Sequence, residues 1–143
     1  MGEAKQAVMT RDEAEKQIHD WADFFEVDTD RSFFADVVDE LVMPVKKGRL
    51  DLDYENEVFK YRLIKPIEHQ NSTKEIIEIK EGRFGLNKAI ERYKDSESTS
   101  QAAALLGKRT GLDNAEVELL SDRDITKINA VILGFFVQTK SSR

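Results

Sequence analysis

The first 45 residues carry apolar side chains at helical spacing. Between about Thr10 and Val27 the apolar residues recur every three or four positions, which places them on one stripe of a helix: Ala14, Ile18, Trp21, Ala22 and Phe25. Thr10 and Glu13 have the spacing of a capping box, which is a common helix start. We therefore predict a first helix that buries Trp21 against the rest of the protein.

A second helix is predicted after the cluster Asp28-Thr29-Asp30, which can stop the first helix and cap the next one. Its broad apolar face consists of Phe33, Phe34, Val37, Val38, Leu41 and Val42. Pro44 has no N–H with which to continue a helical ladder, so we expect this helix to end there. The two helices would form an antiparallel pair joined by a short loop.

The apolar period changes from 3.6 to 2 at Gly48. Residues 49–54 and 58–64 each alternate apolar and charged side chains, which predicts two strands of a hairpin. A third alternating run covers residues 75–80, after the turn-prone residues 70–73. Pro66 cannot donate to a sheet ladder, so we expect it at a strand end or a sheet edge. The pattern predicts a three-stranded antiparallel meander over about residues 49–80.

The rest of the chain is predicted to be helical. One helix follows Gly85, a polar linker covers residues 95–100, and a short Ala/Leu-rich helix at 101–109 ends near Gly111. One or two further helical turns are expected at residues 114–119.

The last helix begins with Ser121 and Asp124 in capping-box spacing. Its apolar face consists of Ile125, Ile128, Val131, Ile132, Phe135 and Phe136. A helix that is apolar over much of its circumference lies either at the centre of a core or against a partner, and both interpretations stay open.

These elements predict an α+β fold with an N-terminal helix pair, a three-stranded antiparallel sheet and a C-terminal helical half. We divide the chain into an acidic helical extension at residues 1–47 and a hairpin-plus-helices domain at residues 48–143. With 143 residues, the two segments are expected to pack as one compact unit.

Charge is distributed unevenly along the chain. The net charge is −6, yet residues 1–45 alone hold 12 Asp/Glu against 4 Lys/Arg. This acidic end argues against a nucleic-acid partner, because binding a phosphate backbone needs clustered Lys and Arg. It is typical of a solvated helical face, or of a surface for a basic protein. With 0 Cys and no long apolar segment, we expect a soluble, intracellular protein.

Residues that could perform catalysis or hold a metal are sparse. His19 and His69 lie on different predicted elements, and neither has a second ligand at suitable spacing. Asp36 and Glu40 are one helical turn apart, which is common on exposed helix faces. Asp124 and its neighbours are best explained as charges that complement a helix dipole. We therefore expect no enzyme activity, no metal site and no cofactor.

Several short motifs resemble one known family. They are the strand end Lys65-Pro66-Ile67, the acidic-apolar strand at 75–79, the break Thr110-Gly111-Leu112 and the late apolar helix introduced by Asp124. Over residues 59–138 this order is similar to that of the small tail assembly chaperones of contractile-tailed bacteriophages and prophages, such as those of P2-like and Mu-like phages. Residues 1–58 lie outside the resemblance.

The resemblance implies a binding role. Tail assembly chaperones coat the long helical tape measure protein, keep it soluble and deliver it for polymerisation of the tail tube. The chain would then act in the bacterial cytoplasm, bind a protein partner and tend to self-associate. The expected partner-binding residues are apolar positions of the C-terminal half: Leu105, Leu106, Ile128, Ile132, Phe135 and Phe136.

Two other classes of function remain. The first is a small adaptor or regulatory protein whose acidic helix pair binds a basic partner, through the stripe Ala14, Ile18, Trp21 and Phe25 if that stripe is exposed. The second is an enzyme with an unrecognised carboxylate site, which would require a pocket that brings Asp or Glu together with His69.

Overall fold

A helix pair, a three-stranded sheet and a set of short helices follow one another along the chain. We describe a computed structural model over residues 9–30, 32–81 and 106–136. Residues 106–110 are also helical. The other elements are α1 (Arg11–Phe24), α2 (Ser32–Lys46), β1 (Leu50–Asp53), β2 (Val58–His69), β3 (Ser72–Lys80), α3 (Asn114–Glu118) and α4 (Asp122–Val131), which continues as a π-helical turn (Ile132–Phe136). The predicted α+β layout is confirmed.

Two predicted elements lie outside the described residues, namely the helix after Gly85 and the linker at 95–100. The predicted helix at 101–109 is described only from residue 106 onward. It ends as expected, since Gly111 adopts a φ of 78° and its N–H bonds the carbonyl of Gly107 at 2.7 Å.

Helix α1 begins with the predicted capping box. The Thr10 side chain accepts the N–H of Glu13 at 3.1 Å, and the Glu13 carboxylate accepts the N–H of Thr10 at 2.9 Å. The apolar stripe of α1 faces the core, and Trp21 has no exposed surface. The predicted burial of Trp21 is confirmed.

Helix α2 does not end at Pro44. It continues to Lys46 and contains Pro44 as a buried residue, so the predicted end is wrong. A proline inside a helix leaves the carbonyl four residues earlier without its usual donor. In this chain that carbonyl belongs to Glu40, and it accepts a hydrogen bond from Nζ of Lys127 at 2.9 Å. A side chain from a distant helix therefore compensates for the missing N–H.

The sheet has the order β1-β2-β3 with both pairs antiparallel. Strand β2 extends to His69, beyond the predicted end at residue 64, and joins β3 through Gln70 and Asn71. These two residues adopt φ values of 51° and 63°, as a two-residue hairpin turn of type I′ requires.

Pro66 lies within β2 and not at its end, so the expected strand end is wrong. Among the described strands, β1 pairs with β2 only at Val58–Tyr61, so Pro66 lies on a stretch of β2 without β1 beside it, in agreement with the alternative expectation of a sheet edge. Between the pairs Arg62–Ile76 and Ile67–Lys74 the register shifts, because β2 contains more residues there than β3. Pro66 sits in this irregular segment, one of the few places in a sheet that accept a residue without an N–H.

All these elements contribute to one hydrophobic core within the described residues. Its centre is aromatic, and Phe135 lies within 6.3 Å of four other rings, measured between centroids: Trp21, Phe25, Phe34 and Phe59. Gly134 permits a close approach to α2, since a Cβ on Gly134 would lie 2.6 Å from Cγ1 of Val37. Among the described residues, no helix has both the length and the apolar character needed to cross a membrane.

Candidate functional site

A buried carboxylate joins α4 to the irregular part of β2. Asp124 has no exposed surface, and its carboxylate accepts four hydrogen bonds. The donors are the Tyr61 hydroxyl at 2.6 Å, the N–H of Ile64 at 2.8 Å, the N–H of Lys65 at 3.0 Å and the Ser121 hydroxyl at 2.9 Å. The sequence placed Asp124 at a helix start but gave no sign of its distant donors.

This junction is built for structure and not for proton transfer. Burial, and then the hydrogen bond to Asp124, raises the pKa of Tyr61 above its ordinary value, so Tyr61 stays a neutral donor. With four donors around its two oxygens, the Asp124 carboxylate is well satisfied. The pair therefore fixes the position of α4 against β2.

Next to this junction lies a cleft whose rim is basic. It has a volume of about 240 Å³ and is lined by Met43, Pro44, Lys47, Arg49, Tyr61, Ile64, Arg123 and Lys127. We call it the cationic cleft. Lys127 is paired with the Glu40 carboxylate, and Nη1 of Arg49 donates to the carbonyl of Leu63 at 3.1 Å.

The other charges of the cationic cleft are not neutralised. Within the described part of the chain, Lys47, Arg49 and Arg123 form no ion pair with a carboxylate. On a chain with net charge −6, this concentration of positive charge is a local exception. The cleft therefore has the chemistry to receive carboxylates or other anions beside an apolar group.

A second depression runs between α2 and α4. This α2–α4 groove is lined by Phe33, Asp36, Val37, Glu40, Thr126, Asn129, Ala130 and Leu133, and its volume is about 380 Å³. Leu133, one of these lining residues, has 40% of its surface exposed. The Lys127–Glu40 pair separates this groove from the cationic cleft, since Glu40 lines the former and Lys127 the latter.

The structure places most of the expected partner-binding residues in the core. Ile128, Ile132, Phe135 and Phe136 are all buried, Leu106 is half-buried, and Leu105 lies outside the described residues. Of the large apolar side chains between residues 106 and 136, Leu119 and Leu133 face solvent, with 46% and 40% exposed. Sequence reasoning missed Leu133 because it falls off the apolar stripe of the last helix.

At the end of α1 two aromatic rings face solvent. Phe24 and Tyr54 are 40% and 48% exposed, and their centroids lie 5.1 Å apart in an edge-to-face arrangement. Slight burial, and then the charges of Asp20 and Asp51, raises the pKa of Tyr54 above its ordinary value. We call this surface, together with the adjacent Asp23, the acidic aromatic patch.

The stripe that an adaptor would use is not accessible in this conformation. Ala14, Ile18 and Trp21 are completely buried, and Phe25 is partly buried against Phe59 and Phe136. The acidic residues of α1 remain exposed, so a basic partner could still contact that face.

Neither histidine forms an ion pair with a carboxylate in the part of the chain that the structure describes. His69 lies at the β2–β3 turn in a shallow depression formed only by residues 68–73. The Ser72 hydroxyl donates to the backbone carbonyl of His69 at 3.1 Å and not to its imidazole, so the pair lacks the nucleophile–base contact of a catalytic dyad. Within the described residues, no three His, Asp or Glu side chains converge as metal ligands would.

Comparisons with protein-family models, with curated proteins and with solved structures find no significant match.

Proposed function

We propose that this chain is a non-enzymatic tail assembly chaperone of a phage or prophage, which binds the tape measure protein during tail assembly in the bacterial cytoplasm. The observation that carries the proposal is the contact between Asp124 and Lys65. These residues belong to two separate motifs of the resemblance, 59 positions apart, and they are joined by a 3.0 Å hydrogen bond. That contact supports the interpretation of the two motifs as parts of one structural unit.

The surface that best suits a helical partner is the α2–α4 groove. A tape measure helix would present an apolar stripe, and helices with such a stripe bind in apolar grooves through side chains spaced one turn apart. Phe33, Ala130 and Leu133 offer apolar surface in this groove without opening the core. The buried Ile128, Ile132, Phe135 and Phe136 would then support the groove from below.

Leu105 and Leu106 remain proposed partner contacts. Leu106 packs at the edge of the core and keeps part of its surface exposed, so it could contact a partner directly. The proposal requires no cofactor, because covering an apolar stripe needs only complementary surface.

One observation favours a second function, that of an adaptor for a basic protein. The acidic aromatic patch combines exposed rings with carboxylates, and aromatic residues are enriched where proteins bind one another. Under this alternative, binding would depend on Phe24 and Tyr54 and not on Leu133.

Co-expression with the tape measure protein encoded beside this gene tests the proposal. We expect the chain to keep the tape measure protein in the soluble fraction, and Leu133→Glu to reduce that fraction while the variant itself stays folded. Ile76→Glu is the matched control, since Ile76 is 51% exposed but lies on β3, away from the groove.

A second variant examines the residues named from sequence. Joint replacement of Leu105 and Leu106 by Asp should also lower the soluble fraction if those residues contact the partner. Full solubility with folded Leu133→Glu and with the Leu105/Leu106 variant would contradict tape measure binding through the C-terminal half. A gene without tail-protein neighbours would end the chaperone proposal itself.

A further inference from the structure

Two surfaces of this chain have complementary chemistry. The cationic cleft presents Lys47, Arg49 and Arg123, which form no ion pair with a carboxylate within the described residues. Its walls include Met43, whose side chain is 49% exposed, and Ile64. The cleft can therefore bind negative charge and an apolar group at the same time.

The acidic aromatic patch supplies both. Phe24 and Tyr54 expose a pair of rings, the charges of Asp20 and Asp51 act on Tyr54, and Asp23 directly precedes Phe24 in the chain. The Asp20 carboxylate also pairs with Lys16 at 3.4 Å, so Asp23 and Asp51 supply the negative charge that no lysine or arginine pairs with in the described part of the chain. Arginine guanidinium groups stack on aromatic faces and also pair with carboxylates, so Arg49 and Arg123 suit this patch better than lysine alone would.

The two surfaces of one copy cannot reach each other. Arg49 directly precedes β1 and Tyr54 directly follows it, so the strand Leu50–Asp53 lies between them. At about 3.3 Å per residue the two Cα atoms are roughly 17 Å apart, and pairing with β2 keeps the strand extended. The complementary surfaces can therefore meet only between different copies.

We propose that the cationic cleft of one copy receives the acidic aromatic patch of a second copy. Because the two surfaces differ, the contact is heterologous, and repeating it builds a ring or an open chain of copies in a head-to-tail arrangement. This inference does not depend on the identity of any other partner. The α2–α4 groove is lined by other residues than the cleft.

Sedimentation velocity of the purified full chain at low and high salt measures the assembly. We expect species larger than the 16.4 kDa monomer at low ionic strength, and a shift toward the monomer as salt screens the charges. A wild-type chain that sediments as a monomer at all protein concentrations would overturn the proposal, even if the cleft bound an acidic peptide.

Two charge-reversal variants identify the surfaces. A cleft variant (Lys47→Glu with Arg123→Glu) and a patch variant (Asp23→Lys with Phe24→Ser) should each sediment as monomers. Arg62→Glu is the control for the cleft, because Arg62 is an exposed cation on the sheet. Circular dichroism and thermal unfolding verify that every variant is folded.

Mixing the two variants gives the decisive result. The cleft variant keeps an intact patch and the patch variant keeps an intact cleft, so a mixture should form 1:1 dimers and nothing larger. A mixture that remains monomeric would overturn the proposal, as would self-association of either folded variant at the wild-type level.

Discussion

The side chain of Lys127 replaces a backbone donor that Pro44 removes from α2. Its Nζ donates a 2.9 Å hydrogen bond to the carbonyl of Glu40, the residue four positions before the proline, and also pairs with the Glu40 carboxylate. Lys127 belongs to α4, so this contact both completes the ladder of α2 and attaches α4 to it.

Replacing Lys127 by Met should therefore destabilise the protein by about 1–3 kcal/mol, because the Glu40 carbonyl loses its donor in a partly buried place. In a Pro44→Ala background the backbone N–H returns, so the same replacement should cost at least ~0.5 kcal/mol less. Denaturant unfolding of the four proteins in this cycle measures the difference. Equal losses of unfolding free energy in both backgrounds would show that Lys127 acts only through the carboxylate of Glu40. The variant Glu40→Gln measures the contribution of that ion pair by itself.

Asp124 should be the most sensitive polar residue of the fold. Asp124→Asn replaces one acceptor oxygen by an NH₂ group that faces N–H and O–H donors, so we expect a loss of about 2–4 kcal/mol from unpaired buried groups. Asp122→Asn is the matched control, since Asp122 is exposed on the same helical turn. Comparable unfolding free energies for the two variants would contradict the role given to Asp124.

Stability should fall at alkaline pH because of Tyr61. Burial raises the folded-state pKa of Tyr61 above its ordinary value of 10.0, so ionisation favours the unfolded chain. This contribution to stability is complete below pH 10 and is lost as the pH rises through the folded-state pKa. The difference in unfolding free energy between the wild type and Tyr61→Phe, measured from pH 8 to pH 11, should shrink above pH 10. A pH-independent difference would mean that Tyr61 ionises equally in both states.

A side chain at position 134 should destabilise the protein while Val37 is present. Gly134→Ala places a methyl group 2.6 Å from Cγ1 of Val37, and overpacking of this kind costs about 1–3 kcal/mol. The double variant Gly134→Ala with Val37→Ala removes the clash. Its loss of unfolding free energy should therefore be smaller than the sum of the losses in the two single variants. Additive losses would indicate that α2 and the π-helical turn can separate freely.

Alanine substitutions at Phe135 and Leu133 should differ in their effect on stability, because Phe135 lies in the core and Leu133 on the surface. Phe135→Ala removes the ring at the centre of the aromatic cluster and should cost about 3–5 kcal/mol. Leu133→Ala removes a side chain that is 40% exposed and should cost much less. An unchanged melting temperature for Phe135→Ala would show that Phe135 is not a core residue and would favour a role in partner binding.

Local patterns in the sequence were sufficient for the elements that depend on local contacts. Thr10 and Glu13 cap α1 as expected, and Trp21 is buried because its stripe repeats at helical spacing. The type of each described α-helix and strand could be predicted, since its period is visible within a few residues, whereas the π-helical turn Ile132–Phe136 was not expected.

Features that depend on distant partners could not be predicted. Pro44 was expected to end α2, but Lys127 supplies the missing donor from 83 positions further along the chain. Pro66 was expected at a strand end or a sheet edge, but β2 continues past it, because Asp124 satisfies the N–H groups of Ile64 and Lys65. The exposure of Leu133 follows from the tertiary packing of α4 against α2. No periodicity in a single segment reveals such contacts.

The proposed role of this protein is to cover the apolar stripe of a long helical partner. The most direct measurement is size-exclusion chromatography with light scattering on the purified chain mixed with the tape measure protein encoded beside it. We expect one soluble complex that contains several copies of this chain per tape measure protein, and fewer copies with Leu133→Glu than with the control Ile76→Glu. If the two proteins elute separately and the tape measure protein precipitates equally with and without the chain, the claim is wrong.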